Sequence, residues 1–156
     1  MSVLSNSLIE SLNAQKIPFE IIEHDEITCV DDGVKLLHFP ENQILKTIGF
    51  IANEHFIFVA LQGRKRVDYK KLVQALGFKR EILKMLPIEI VEVELGYQAG
   101  GLSPLHVDPR ISVFIDSEVL RLDTVFCGIG VRNKTLKISP SNLIMASEAV
   151  AIELAK

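Results

Sequence analysis

The chain has 156 residues, 48% hydrophobic and 24% charged, a balance that buries one ordinary core without disulfides or metals and excludes a disordered polymer. Its formal net charge of −3 argues against a protein that coats nucleic acid indiscriminately, DNA included. The first twelve residues lack the basic, apolar form of a signal peptide, and no run of about eighteen apolar residues could cross a bilayer, so a cytoplasmic protein without a membrane partner is expected.

No shift in composition marks a second core, so residues 1–156 read as a single domain. Ser7-Leu8-Ile9-Glu10 has the form of a capping box, and Leu4, Leu8 and Leu12 recur at helical spacing, which predicts an opening amphipathic helix ended by Pro18. Phe19 to Glu23 reads as a strand and Val30 to Leu37 as a short helix. Two apolar runs, Ile44 to Ala52 and His55 to Leu61, flank Asn53-Glu54 as the arms of a β-hairpin, and the second is apolar on both faces and should be central. Asp68 caps a predicted helix that runs to Leu76 and stops at Gly77. Ile88 to Leu95 fits neither period, although Pro87 suits a first helical turn. Gly96 to Pro104 is a glycine-rich loop, and strands follow at Ile111 to Ile115, Thr124 to Cys127 and Thr135 to Ile138. A final helix is expected over Ser141 to Leu154. Strands come in groups, which indicates an α+β fold with a mixed, mostly antiparallel sheet.

Charge is unevenly spread. Arg64, Lys65, Arg66, Lys70, Lys71, Lys79, Arg80 and Lys84 stand against Asp68 and Glu81 alone, so this segment carries +6 (8 − 2) and the remainder −9 (−3 − 6). A local basic patch on an acidic body suits one polyanion held at one place, although a solvated helix face would look the same. Lys46 shares a strand face with Ile44, Ile48 and Phe50, where an ammonium is costly unless it meets an anion or reaches water. It either lines a ligand pocket or snorkels from an edge strand. Gly100-Gly101 lets backbone approach a ligand closely, or simply turns the chain. Ser103 fails the nucleophile-elbow pattern because Leu105 replaces its last glycine, and Gly128-Ile129-Gly130 lacks the third glycine of a dinucleotide fingerprint, Asn133 standing there. Cys29 and Cys127 are far apart and belong to no metal motif. Among the four histidines, His106 just past the glycine loop is the one worth following.

Lys46-Thr47-Ile48, then Gly96-Tyr97 leading into Gly100-Gly101-Leu102-Ser103-Pro104-Leu105, then Ile115-Asp116, in this order and spacing, resemble the YbaK/prolyl-tRNA-synthetase-associated aminoacyl-tRNA editing family. The similarity extends from Phe19-Glu20 through Glu23-His24-Asp25 to Ser141-Asn142-Leu143. It implies a barrel-like sheet of six or seven strands with helices around it, a helix over Ile88 to Leu95, and hydrolysis of the ester of mischarged tRNA by a free-standing protein. In that family the lysine matching Lys46 is required and the loop matching Gly100 to Pro104 shapes the amino-acid pocket. Lys46 and Gly101 are therefore the catalytic candidates, with Thr47, Gly100, Leu102, Ser103 and Pro104 as substrate-binding ones. Cysteine-specific members carry tyrosine, serine and aspartate where this chain has Ile22, Gly128 and Thr135, and glycine at His106; the first three are further substrate-binding candidates. The departures leave open whether Cys-tRNA(Pro) or Ala-tRNA(Pro) is edited, and whether water or a substrate thiol attacks. The implied partners are the acceptor end of mischarged tRNA and an aminoacyl-tRNA synthetase, with no cofactor and no metal. A non-catalytic module that binds an amino acid or a synthetase on the same fold is the second reading.

Overall fold

The computed structural model describes residues 2–156. Helix α1 covers Val3–Ala14 and starts a turn earlier than the Ser7 pattern suggests. Its cap is Ser2, whose hydroxyl accepts the Ser5 N–H, while Ser7 bonds back to the Val3 carbonyl inside the helix. Leu8 and Leu12 enter the core as their spacing predicts.

Strand β1 (Glu20–Glu23) joins β7 (Lys134–Ile138) and β6 (Val125–Gly128) in a three-stranded antiparallel sheet ordered β1-β7-β6. Helix α2 (Val30–Leu37) follows β1 and closes on His38 in the left-handed region. The expected hairpin forms from β2 (Leu45–Ala52) and β3 (His55–Gln62), with Asn53 taking the positive φ that its turn requires. β3 lies at the centre of a second sheet ordered β4-β2-β3-β5-β8. Its residues Phe56, Phe58 and Ala60 enter one apolar cluster, whereas Ile57, Val59 and Leu61 enter another beneath α3 (Tyr69–Leu76). This two-sided burial is why the run is apolar on both faces. Helix α3 has the cap and stop read from sequence: Asp68 accepts the Lys70 and Lys71 N–H groups, and Gly77 is left-handed.

The α+β class and the mixed, mostly antiparallel pairing are as expected, with four of six ladders antiparallel. There are eight strands in two sheets among the described residues, where six or seven in one were anticipated. One addition is β4 (Leu83–Met85), a short edge strand inside the basic segment. The other is β8 (Val150–Ile152), which takes the second half of the expected final helix. Helix α4 (Pro140–Ser147) ends at Ser147, whose hydroxyl bonds back to the Leu143 carbonyl, and Glu148 turns left-handed. The chain then pairs in parallel with β5 (Ile111–Asp116), and the buried Asp116 carboxylate accepts the Leu154 and Ala155 N–H groups. Two long-range hydrogen bonds and a strand ladder thus outweigh the helical spacing of Leu143 and Leu154. Ile88 to Leu95 is helical, with a π turn over Ile90–Glu94 that closes on the Leu95 N–H and Ile90 carbonyl. A turn that reaches back five residues spreads its apolar side chains over neither common period.

β4 pairs with the far end of β2 alone, at Phe50, Ile51 and Ala52. Just before β2, Ile44 makes an isolated parallel bridge to Phe126 of the other sheet. The sheets part there.

Candidate functional site

A cavity of about 510 Å³ fills the space where β2 separates from β6. Six of the ten candidate residues line it: Lys46 and Thr47 from β2, Gly100 and Leu102 from the glycine loop, Gly128 from β6 and Thr135 from β7. Gly101, Ser103, Pro104 and Ile22 are not among its lining residues. Ile22 nonetheless sits directly beside Thr135, which sits beside Gly128, so the three positions that depart from the cysteine-specific pattern form one row across the small sheet.

Lys46 is half-buried at this opening, and among the described residues it has no carboxylate within ion-pairing distance. Burial first, and the nearby Arg66 charge second, hold its amine below the usual lysine range. The Thr47 hydroxyl beside it is buried and has no hydrogen-bond partner among the described residues. Such groups cost stability where they stand. They are the unspent polar chemistry of the cavity.

The glycine loop is different. The Gly101 N–H donates to the Gln98 carbonyl at 2.8 Å, and the Gly101 carbonyl accepts the Gly130 N–H at 2.8 Å. A Cβ on Gly101 would stand 2.9 Å from the Val131 backbone, and one on Gly128 would stand 2.3 Å from the Leu102 carbonyl oxygen. These glycines let the loop lie flat on β6. Gly100, at φ +84°, turns the loop toward Thr28. The Ser103 hydroxyl is fully buried and accepts the Leu105 N–H, and the Tyr97 hydroxyl donates to the Leu105 carbonyl at 2.6 Å. Tyr97 packs edge-on against Phe58, and burial raises its hydroxyl pKa well above the ordinary tyrosine value. Loop 96–105 is therefore a rigid, internally bonded wall.

Sequence reasoning missed two cations in the lining, Arg132 from the β6–β7 turn and Lys134 at the start of β7, because they fall outside the dense basic segment. With Lys46 they give the cavity three positive side chains, Arg132 being paired with Glu26 at 3.7 Å, and among the described residues no Asp or Glu lines it. It also missed Phe39 stacked on Phe126, with ring centroids 4.5 Å apart, and His24 hydrogen-bonded to Thr135. Isolated aromatic and histidine residues carried no spacing signal. His106 does not line the cavity; its Nδ1 is buried without a partner among the described residues. Cys29 is exposed and lines the cavity at the start of α2, whereas Cys127 is buried with its thiol pushed up to about 12.

In the basic segment, Arg64 is held by Asp31 and Glu41, Lys71 by Glu153, and Arg80 lies over the Tyr69 ring. Lys65, Arg66, Lys70, Lys79 and Lys84 are exposed and form no ion pair among the described residues. Arg66 is near Lys46, and Lys84 precedes the cavity-lining Met85 and Leu86, so these two cations are close to the cavity. No cluster of three metal-ligating side chains occurs among the described residues, and no helix there is long and apolar enough to span a membrane.

Residues 24–146 match the model of the aminoacyl-tRNA editing domain family. The chain is 22% identical over 143 residues to an Enterococcus faecalis protein provisionally named Cys-tRNA(Pro)/Cys-tRNA(Cys) deacylase EbsC, covering 89% of this chain and 86% of that one. It is 20% identical over 126 residues to a proline–tRNA ligase of a Thermoanaerobacter species, covering 81% of this chain but 21% of the ligase. A solved structure titled as a candidate trans-editing enzyme for prolyl-tRNA synthetase superposes with a TM-score of 0.85 at 20% identity, covering 100% of this chain and 99% of the other, and shows a shared fold.

Proposed function

The chain belongs to the aminoacyl-tRNA editing domain family, and from that premise we propose that it hydrolyses the ester of mischarged tRNA in trans, with Cys-tRNA(Pro) and Ala-tRNA(Pro) as the first substrates to test. One observation carries this reading: a half-buried lysine that forms no ion pair among the described residues lines the same cavity as the glycine loop. An aminoacyl ester is already activated, so catalysis needs positioning and charge stabilisation more than a full triad. In this reading Lys46 grips the terminal ribose-phosphate or polarises the ester, and the flat loop presents Gly100 and Leu102 as the wall against which the acyl group lies.

Lys46 and Lys134, which line the cavity and form no ion pair among the described residues, favour an anionic end of the ligand, which the acceptor-stem phosphates supply. Arg66 and Lys84, which form no ion pair among the described residues, extend that path outside the cavity. Binding should therefore weaken steeply as salt rises; a nearly flat salt dependence would remove the phosphate contacts from the account.

No carboxylate or histidine lines the cavity to serve as a direct base, which supports the second reading, a module that captures an amino acid or a synthetase without cleaving anything. Purified protein offered a panel of mischarged tRNAs separates the two. Ester loss above the spontaneous rate, abolished in Lys46→Ala, supports the deacylase; tight binding with no ester loss on any member of the panel supports the module.

A further inference from the structure

Behind the cavity floor lies a polar pair that the ester-cleaving reading leaves unused. The Nδ1 atom of His24 is 2.6 Å from the Asp25 carbonyl oxygen, and its Nε2 is 2.7 Å from the Thr135 hydroxyl. A carbonyl oxygen can only accept, so Nδ1 of the neutral ring carries the proton and Nε2 offers a bare lone pair. Thr135 must then donate its proton to His24. The ring lies edge-on to Phe39 at 6.5 Å, and Phe39 is stacked on Phe126, so the imidazole stands in a packed frame that opposes its rotation.

Resting on the deacylase reading, we propose that His24 is a positioning residue that turns Thr135 into an acceptor facing the cavity, and that this acceptor takes a hydrogen bond from the α-amino group of the esterified amino acid. With its proton committed to His24, the Thr135 hydroxyl has only lone pairs left to offer. Its neighbours in the row are Ile22, which is apolar, and Gly128, which has no side chain, so Thr135 is the row's single side-chain hydrogen-bonding group. Lys46 and Lys134, the lining cations that form no ion pair among the described residues, disfavour a protonated amine, and an α-amino group has an ordinary pKa of about 7.7–8.0, close enough to neutrality to be held uncharged. A neutral amine calls for a neutral acceptor, and a cavity without a carboxylate provides one. Lys46 lines the cavity with the exposed Arg66 near it, which places the ribose-phosphate end there and the acyl end toward the buried Thr135.

The test compares alanyl- and cysteinyl-tRNA(Pro) with their desamino counterparts, propionyl- and 3-mercaptopropionyl-tRNA(Pro), each corrected for spontaneous hydrolysis. Wild type should prefer the amino ester in kcat/KM by about five- to tenfold, the worth of one neutral hydrogen bond. Thr135→Val and His24→Phe should bring that ratio close to one, while Thr135→Ser keeps it. A merely structural role would lower both rates together and leave the ratio alone. In case His24→Phe fails to fold, the ring ¹⁵N spectrum of wild-type His24 gives an independent reading: the Nδ1-protonated tautomer is expected, and the Nε2-protonated one overturns the proposal. An unchanged ratio in Thr135→Val also overturns it while leaving the deacylase reading intact. Hydrolysis of none of the four esters by wild type removes both.

Discussion

The two walls of the cavity are built on opposite terms. On the β2 side, the half-buried Lys46 has no ion pair and the buried Thr47 hydroxyl has no hydrogen-bond partner among the described residues. On the loop side, Gly101, Ser103 and Tyr97 all have their polar atoms bonded within the protein. A buried polar group without a partner is a stability cost that persists where something else requires it, whereas a bonded one is explained by the fold alone. Chemistry should therefore reside on the β2 wall and shape on the loop wall.

The strongest way to break this contrast is Lys46→Met. Deacylation should fall about a hundredfold or more, as when one electrostatic contact to the reacting group is removed, while the melting temperature stays level or rises. A parallel fall in thermal stability would make β2 a structural wall after all. Gly128→Ala tests the other side, since its methyl would meet the Leu102 carbonyl at 2.3 Å and must displace the loop. Overpacking of this kind costs about 1–3 kcal/mol, and both denaturant stability and kcat/KM should drop. Tyr97→Phe orphans the buried Leu105 carbonyl, so chemical denaturation should register a loss of about 1–2 kcal/mol with little change in rate for the protein that remains folded.

The smallest and sharpest effect is a shift in pH dependence. Lys46 acts as an ammonium, so the rate should be lost as pH rises through its folded pKa, which burial and Arg66 place below the usual 10.5. Arg66→Gln removes the like charge, and the alkaline limb of the rate profile should move upward; a limb that stays fixed would detach it from Lys46. The linkage has the matching sign. Because the unfolded chain holds this proton more tightly, Lys46 disfavours the fold below its folded pKa, and that penalty fades as pH rises toward 10.5.

Much of this was legible in the chain because local rules agreed with the tertiary outcome. Asp68 and Gly77 bound α3 as their side chains dictate, and the Asn53-Glu54 hairpin formed where its turn was written. The order of Lys46 and the glycine loop in sequence became neighbourhood in space. What stayed hidden depended on distant partners. The β8 strand exists because Asp116, thirty-eight residues away from Leu154, captures the backbone there, and helical periodicity cannot register such a bond. Arg132 and Lys134 become cavity residues only when β6 and β7 turn under β2. Gly100-Gly101 reads in sequence as either a close approach to a ligand or a plain turn, and the pair alone cannot show that Gly101 lies against the Val131 backbone, a neighbour thirty positions on.

The two thiols differ in a way that experiment can exploit at once. Cys29 is open to reagents on the cavity wall, and Cys127 is sealed off with its proton held to about pH 12. An alkylating fluorophore should thus mark the unaltered chain at a single place, and the speed of that marking becomes a gauge of occupancy. Any candidate tRNA fragment could be ranked by how well it shields the mark, before a single ester is synthesised.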